Sequence, residues 1–169
     1  MSSGVMVAVD VDYREDEAVA AAILFRSWTD ASSCGQHVAR VAGVAPYVPG
    51  ELYRRELPAL LAVLAKVPDV LSCVVVDGFV WLDEQGRKGL GAHLHDALGG
   101  AVPVVGVAKS GFRGSRHAVP VLRGGSRRPL WITAVGIPVD AAADGVARMH
   151  GNHRIPTLLQ ATDALCRRA

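Results

Sequence analysis

The chain has 169 residues, of which half are hydrophobic and a fifth are charged, and its formal net charge is +2. These values fit one globular domain with a hydrophobic core, and they exclude a disordered chain, a collagen-like chain and a disulfide scaffold. The charge is unevenly distributed, because the 43 residues from Ala97 to Val139 contain six basic and no acidic residues, whereas the rest carries −4. A basic segment on an acidic body indicates a polyanionic partner beside a site that uses carboxylates, although a solvated basic loop would give the same charge.

The first half of the chain begins with a short apolar run, Val5–Val9, which predicts a buried strand. Glu17–Phe25 is rich in alanine and fits either a helix or the hairpin partner of the first strand. His37–Gly43 alternates weakly and predicts a third strand. The prolines and glycine of Pro46–Gly50 predict a loop, and the leucines of Glu51–Lys66 recur every three or four residues, which predicts an amphipathic helix.

The second half continues with a valine-rich run, Val70–Val76, typical of a strand that is buried on both faces. Further strands are predicted at Val102–Val107, Ala118–Leu122 and Pro129–Val135, and helices at Gly89–Leu98, Val139–His150 and Pro156–Arg168. This order predicts a mixed α/β sheet flanked by helices. No repeat, linker or low-complexity tract interrupts it, so we expect residues 1–169 to form a single domain.

The cysteines and the apolar segments bear on location. Cys34, Cys73 and Cys166 have neither metal-binding nor disulfide-framework spacing, which favours reduced thiols and a cytoplasmic protein. We expect no signal peptide, because the N-terminus lacks a basic region followed by a long apolar one, and no membrane partner, because no uncharged apolar run is long enough to span a bilayer.

Carboxylates follow two of the predicted strands. Asp10 ends the first strand and Asp77 ends the valine-rich strand. If these strands are neighbours, the two carboxylates lie side by side, and a divalent cation between them would relieve their repulsion. Asp12 shares a face with Asp10, and Glu56 projects from the first turns of the following helix. Any one of these acids alone is more often a helix cap or a surface charge, but together they predict a site for magnesium, which prefers oxygen ligands.

Five segments taken together resemble the endonuclease V family. They comprise the run VAVDVDY, the motif PYVPG-x-L-x-x-R-E-x-P, a PDV segment that leads to VDG, the segment GVAKS and the tripeptide RIP before the last helix. In this chain they lie at Val7–Tyr13, Pro46–Pro58, Pro68–Gly78, Gly106–Ser110 and Arg154–Pro156.

The resemblance implies a ribonuclease H-like fold and a Mg²⁺-dependent endonuclease of DNA repair, in which Mn²⁺ can replace Mg²⁺. The family cuts DNA, or RNA in some members, one nucleotide beyond a deaminated base, chiefly hypoxanthine. By position, the resemblance implies that Asp10, Glu56 and Asp77 are the metal ligands and that Lys109 lies near the scissile phosphate. It also implies that Asp163, on the last helix, lies close to the metal.

The resemblance also implies a substrate-binding surface. Tyr47 would act as a wedge between flanking prolines and stack into the gap that a rotated base leaves, because base–aromatic stacking returns roughly 1–3 kcal/mol. The residues implied in substrate binding are Pro46, Tyr47, Val48, Pro49, Gly50, Leu52, Gly78 and Ser110.

The sequence departs from the family pattern at three places. Asp83 and Asp163 stand where the family has histidines, and the loop between Asp77 and Asp83 is bulky and apolar at Phe79–Leu82. The helical segment that precedes the first strand in the family is absent, which leaves a surface open to a homodimer. Two alternatives therefore stay open: a nuclease that acts on inosine-containing or structured RNA, and a catalytically impaired nucleic-acid-binding homologue.

Overall fold

The computed structural model describes residues 4–43, 46, 48, 49, 51, 53–111 and 117–169. Within these ranges one seven-stranded mixed sheet has the order β3-β2-β1-β4-β5-β7-β6. Its central strands β1, β4 and β5 are parallel, and the outer pairs are antiparallel. The elements are β1 Val5–Arg14, β2 Glu17–Phe25, β3 Gly35–Ala42, α1 Tyr53–Leu64, β4 Leu71–Asp77, α2 Leu90–Ala97, β5 Val104–Ala108, β6 Val119–Val121, β7 Leu130–Val135, α3 Val139–Arg148 and α4 Thr157–Arg168. The prediction of a mixed α/β sheet flanked by helices is confirmed.

Helices cover both faces of the sheet, so two hydrophobic layers form. Alternate strand residues, such as Val7 and Val74, pack with α1 and α2 in one layer. The residues between them, such as Ala8 and Val75, pack with α3 and α4 in the other. This explains why the central strands are continuously apolar rather than alternating.

The segment Glu17–Phe25, whose type the sequence left open, is the strand β2. It forms a hairpin with β1 from Arg14↔Glu17 to Met6↔Phe25. Its small alanines are buried against helices on both faces of the sheet. Helix propensity is a weak preference of well under 1 kcal/mol per residue, and the pairing with two neighbouring strands overrides it here.

The prediction that Asp10 ends its strand is wrong, because β1 continues to Arg14. The parallel pairing with β4 does end one residue before Asp10, at Val9↔Val76, but the antiparallel pairing with β2 extends the strand by five residues beyond Val9. Asp10 therefore lies where β1 is no longer paired with β4 but is still paired with β2. Its carboxylate is beside the opening between β1 and β4, while the pairing with β2 holds its backbone.

Arg123 belongs to the basic segment, but its charge is not available to a polyanionic partner. This side chain is buried, with 7% of its surface exposed. Its guanidinium donates to the carbonyl oxygens of Val146, Ala147, Met149 and Gly151 at 2.8–3.1 Å. Because the last carbonyls of a helix have no partner within the helix, Arg123 caps α3 instead of meeting solvent.

Helix bounds differ from the sequence prediction by a few residues at their ends, and Pro156 precedes α4 rather than lying in its first turn. No helix in the described residues is long and apolar enough to cross a membrane.

Candidate functional site

Three acidic residues converge where the central parallel strands end. Asp10 and Asp77 follow the paired residues Val9 and Val76 on adjacent strands. Glu56 projects from α1, which packs on the face of the sheet opposite to α4. All three line one small cleft, which we call the carboxylate cleft.

Burial and the repulsion of neighbouring negative charges make Asp10 and Glu56 hard to ionise. The pKa of Asp10 is raised to about 7 by burial first, then by the charges of Asp77 and Asp163, against a hydrogen bond of 2.9 Å that the Val11 N–H donates to Asp10 Oδ1. Burial, Asp10 and Asp77 likewise raise the pKa of Glu56 to about 7. At neutral pH the cleft therefore favours a proton or a cation among its carboxylates.

The side chains of Tyr13 and Arg55 lie beside Glu56 and lower its pKa, in opposition to the larger effect of burial. The Arg55 guanidinium lies 4.5 Å from the centre of the Tyr13 ring. This pair therefore places positive charge close to Glu56.

The last helix brings a further acid to the same place. Asp163 on α4, Asp10 and Cys166 can offer ligand atoms that all lie within 4.8 Å of one another. Among the described residues they are the one group of three or more potential ligands this close, and it includes neither Glu56 nor Asp77. Burial raises the pKa of the Cys166 thiol to about 12, so the oxygen atoms are the available ligands. The Arg167 Nε donates to Asp163 Oδ1 at 2.9 Å and orients that carboxylate.

Lys109 stands directly beyond β5, next to the metal-ligand candidate at the end of β4. Its Nζ lies 3.6 Å from Asp77 Oδ2, and both side chains are nearly half exposed. A cavity of about 130 Å³ between the sheet and α4 is lined by Asp10, Asp77, Lys109 and Asp163 together with apolar residues. Ser110 follows Lys109 and is exposed.

A second cavity, of about 350 Å³, adjoins the carboxylates and has aromatic walls. We call it the aromatic cavity; it is lined by Tyr53, Glu56, Asp77, Gly78, Phe79, Leu82, Lys88, Gly89 and Leu90. Tyr53 stacks on His93 with ring centres 3.6 Å apart and planes 17° from parallel. The sequence prediction missed Tyr53, although its position three residues before Glu56 puts both side chains on the same face of α1.

The loop after β4 owes its path to glycines and to one threonine. Gly78 has φ +122°, which side chains rarely tolerate. A Cβ on Gly106 would lie 2.5 Å from the Gly78 oxygen, so only glycine allows this close approach. The buried Thr133 Oγ1 accepts the Val80 N–H at 2.8 Å and anchors the loop to β7. The sequence prediction did not include Thr133.

Asp83 turns away from the carboxylate cleft. Its Oδ1 accepts the backbone N–H groups of Gln85 and Arg87, both at 3.0 Å, and so closes a tight turn. It lines a different cavity, with Trp81 and His117. In this chain the residue at the family's histidine position therefore stabilises the loop.

The segment from Pro46 to Leu52 is described only in part. Pro46, Val48 and Pro49 are exposed, and the Glu51 N–H donates to the Val48 oxygen at 2.9 Å, which bends the segment. Tyr47, Gly50 and Leu52 lie outside the described residues, as do Arg113 and Arg116 of the basic segment.

A ribonuclease H-like sheet that carries clustered carboxylates at the end of its central parallel strands defines a class of nucleases that use divalent metal ions. In such a site the carboxylates would hold the ion, which would supply an activated water and charge neutralisation at the phosphodiester. The lysine beside Asp77 and the open cavities on either side are consistent with a phosphodiester substrate.

Comparison with known proteins identifies the family. The sequence model of endonuclease V matches residues 2–144. The endonuclease V of Streptomyces avermitilis is 33% identical, over 99% of this chain and 81% of that protein. Its crystal structure superposes with a TM-score of 0.76 over 98% of this chain and 81% of that one, at 30% identity. The endonuclease V of Ciona intestinalis, bound to a 24mer DNA with an inosine followed by a ribo-adenosine, has the same fold, with a TM-score of 0.76 over 98% of this chain and 84% of that one at 18% identity.

The chain therefore belongs to the endonuclease V family. It is a nuclease of the kind that acts at deaminated bases in DNA repair, and the family implies a divalent metal cofactor and nucleic acid as the binding partner.

Proposed function

We propose that this chain is a Mg²⁺-dependent endonuclease that hydrolyses a phosphodiester bond near hypoxanthine in DNA. The observation that carries the proposal is the position of the carboxylate cleft, which Asp10, Glu56 and Asp77 line, directly beside the aromatic cavity. The carboxylate cleft and the aromatic cavity thus share three residues, Glu56, Asp77 and Leu90.

The residues of the cleft fit a divalent cation. Two partly buried carboxyl groups with pKa values of about 7, Asp10 and Glu56, repel each other and Asp77, and a cation removes that cost. Their donor atoms are oxygens, which suit Mg²⁺, with Mn²⁺ as a substitute. Asp10, Glu56 and Asp77 would hold the ion, which when bound supplies charge neutralisation and an activated water.

Lys109 and Asp163 supply the remaining chemistry in this proposal. The ammonium of Lys109, 3.6 Å from Asp77, reaches a phosphate oxygen that lies against the cleft and stabilises its growing negative charge. Asp163 lies close to Asp10 in the cavity between the sheet and α4, where its carboxylate would accept a hydrogen bond from water and orient it. An aspartate cannot donate a proton as an imidazolium does, so this acid acts as an acceptor only.

The aromatic cavity suits the flat ring of a flipped base. Extrusion costs a few kcal/mol and is cheapest at a weak pair such as one that contains hypoxanthine. Tyr53, held by its stack on His93, and Phe79 offer ring faces, and Gly78 leaves room for the base edge. Tyr47 with Pro46, Val48 and Pro49 would fill the gap in the duplex, with Gly50, Leu52 and Ser110 along the same surface.

One panel of oligonucleotides tests the proposal. Duplexes that contain hypoxanthine, xanthine or uracil, with undamaged DNA and an inosine-containing RNA, are incubated with Mg²⁺, Mn²⁺ or EDTA. We expect cleavage of the hypoxanthine duplex in Mg²⁺ and none in EDTA. Preferential cleavage of the RNA would instead favour the RNA alternative. The RNA belongs in the panel because the DNA in the Ciona intestinalis complex contains a ribo-adenosine after the inosine.

The variant Asp77→Ala separates an enzyme from a binding protein. An enzyme loses cleavage while its affinity for hypoxanthine DNA in EDTA persists, because the bulk of that affinity comes from phosphate contacts. The exposed Asp69, replaced by Asn, is the matched control and should cleave like the wild type. Tight binding without cleavage in the wild-type protein would identify an impaired homologue and refute the proposal.

The proposal extends to organisation and location. Residues 1–169 would act as one domain in the cytoplasm, and two copies of the chain could associate as a homodimer. Light scattering coupled to size exclusion measures the mass directly, and a mass of 17.8 kDa at assay concentration would rule out the dimer.

A further inference from the structure

Arg154 holds three backbone carbonyls from two separate segments. Its Nη2 donates to the carbonyl oxygen of Lys109, and also to that of Pro129 at 3.1 Å. Its Nε donates to the carbonyl oxygen of Arg128 at 2.9 Å. One half-buried guanidinium thus joins the residue that leaves β5 to the turn that enters β7.

A second contact fixes the same turn to the chain around Arg154. Gly124, at φ +63°, lies so close to the backbone of His153 and Arg154 that a Cβ would come within 2.6–2.7 Å of it. The turn before β7 and the residues before α4 therefore pack backbone against backbone. This contact fixes the backbone from which the Arg154 side chain projects.

The Arg154 guanidinium binds backbone carbonyl oxygens rather than a carboxylate. Among the described residues, no ion pair of Arg154 with a carboxylate occurs within 4.0 Å. The planar guanidinium can reach carbonyls that lie in different directions, which a single ammonium cannot do at once. The arrangement is suited to holding backbone geometry.

We propose that Arg154 is a positioning residue that sets where Lys109 stands relative to Asp77. The proposal rests on the proposed function, in which Lys109 contacts the scissile phosphate. Lys109 has a flexible side chain beyond the last residue of β5, so the position of its ammonium depends on how firmly its own backbone is held. A shift of about 1 Å in a catalytic group can cost roughly a hundredfold in rate.

Kinetics of three variants test this inference. Arg154→Met, Arg154→Lys and Lys109→Ala are compared with the double variant Arg154→Met/Lys109→Ala, in single-turnover cleavage of the hypoxanthine duplex. Affinity is measured separately in Ca²⁺ by fluorescence anisotropy. The matched control is Arg40→Met, which removes an exposed arginine paired with Glu17 on the edge strand β3.

We expect Arg154→Met to slow cleavage about 10- to 100-fold with nearly unchanged affinity. Cleavage by Arg154→Lys should be slowed as well, because lysine keeps the charge but lacks the planar guanidinium that reaches several carbonyls at once. In the Lys109→Ala background the loss of Arg154 should have no further effect. Losses that multiply, full activity in Arg154→Lys, or an affinity that weakens as much as the rate would each overturn the inference.

A spectroscopic readout tests the position of Lys109 without cleavage. The chain has three lysines, Lys66, Lys88 and Lys109, so reductive ¹³C-methylation gives few amine signals, and Lys109→Ala assigns the relevant one. We expect this signal to move toward that of a solvent-exposed lysine in both Arg154 variants. An unmoved signal would overturn the inference, whereas a wild-type protein that cleaves nothing would overturn only the proposed function. If Arg154→Met does not fold, Arg154→Lys carries both measurements.

Discussion

Neutralisation of Asp10 tests the electrostatics of the carboxylate cleft most directly. Burial and the charges of Asp77 and Asp163 raise its pKa from 3.8 to about 7 in the folded protein. Between these two values the folded protein keeps a proton that the unfolded chain has lost. The contribution of this proton to stability is therefore fully present below pH 3.8 and is lost as the pH rises through about 7.

The magnitude follows from the difference between the two pKa values. The interval from 3.8 to about 7, at about 1.4 kcal/mol per pH unit, corresponds to about 4 kcal/mol of cost for an ionised Asp10. Asp10→Asn removes the charge, and its Oδ1 can still accept the Val11 N–H. We expect a free energy of unfolding in EDTA that is higher than in the wild type by up to about 4 kcal/mol at pH 8, and by less than half of that at pH 5.

Urea denaturation at pH 5 and pH 8, followed by tryptophan fluorescence, measures both values. Addition of Mg²⁺ at pH 8 should stabilise the wild type more than the variant, and cleavage by the variant should fall by about a hundredfold or more. Asp69→Asn, at an exposed position, should change none of these quantities. The reasoning is refuted if Asp10→Asn destabilises the metal-free protein at pH 8, or if it stabilises the protein equally at both pH values.

Three further predictions concern the lysine, the loop and the basic segment. Lys109→Ala should lower the single-turnover rate about a hundredfold with a smaller loss of affinity, and an unchanged rate would exclude contact with the scissile phosphate. Gly106→Ala, whose Cβ would meet the Gly78 oxygen at 2.5 Å, should lower the free energy of unfolding in urea by about 2–3 kcal/mol, whereas Gly35→Ala, with its nearest contact at 3.6 Å, should not. Arg127→Met, at an exposed position, should leave stability unchanged and reduce the slope of log K against log salt for DNA binding by about 0.9, and an unchanged slope would place Arg127 away from the phosphates.

The central strands and the amphipathic helix could be predicted because local pattern and tertiary environment agree there. A valine-rich run such as the one in β4 can be satisfied only by burial on both faces, and the leucines of α1 recur at helical spacing. The placement of Asp10 beside Asp77 was predicted on the condition that their strands are neighbours, and the pairing of β1 with β4 meets that condition. The resemblance to the family motifs then identified which acidic residues are the metal-ligand candidates, which composition could not do.

The type of β2 and the end of β1 could not be predicted locally. Alanine is compatible with both helix and strand, and the choice depends on pairing with β1 and β3 on either side. Asp10 looks like a strand terminus because a charge follows an apolar run. Antiparallel pairing with β2 carries the backbone past it, and that pairing is a property of two segments together.

The role of individual charges depends still more on the assembled fold. Arg123 and Arg127 lie four residues apart in one basic segment, yet Arg123 is buried as a cap on α3 and Arg127 is exposed. Nothing in the local sequence distinguishes them, since the carbonyls that hold Arg123 belong to a helix about 25 residues further along the chain. Tyr53 was within reach of prediction, because helical spacing puts it on the face of Glu56.

By itself the sequence determined the family, the mixed α/β sheet and the charge division between an acidic body and a basic segment. Those features depend on hydrophobic periodicity and on short motifs, which each residue carries with it. Only the tertiary structure decided which charged residues lie together. Asp163 lies beside Asp10, Asp83 closes a separate turn, and Arg154 donates to the carbonyl oxygen of Lys109. These contacts join segments far apart in the chain, and electrostatic and hydrogen-bond energies depend on distances of a few ångströms that only the packed fold sets.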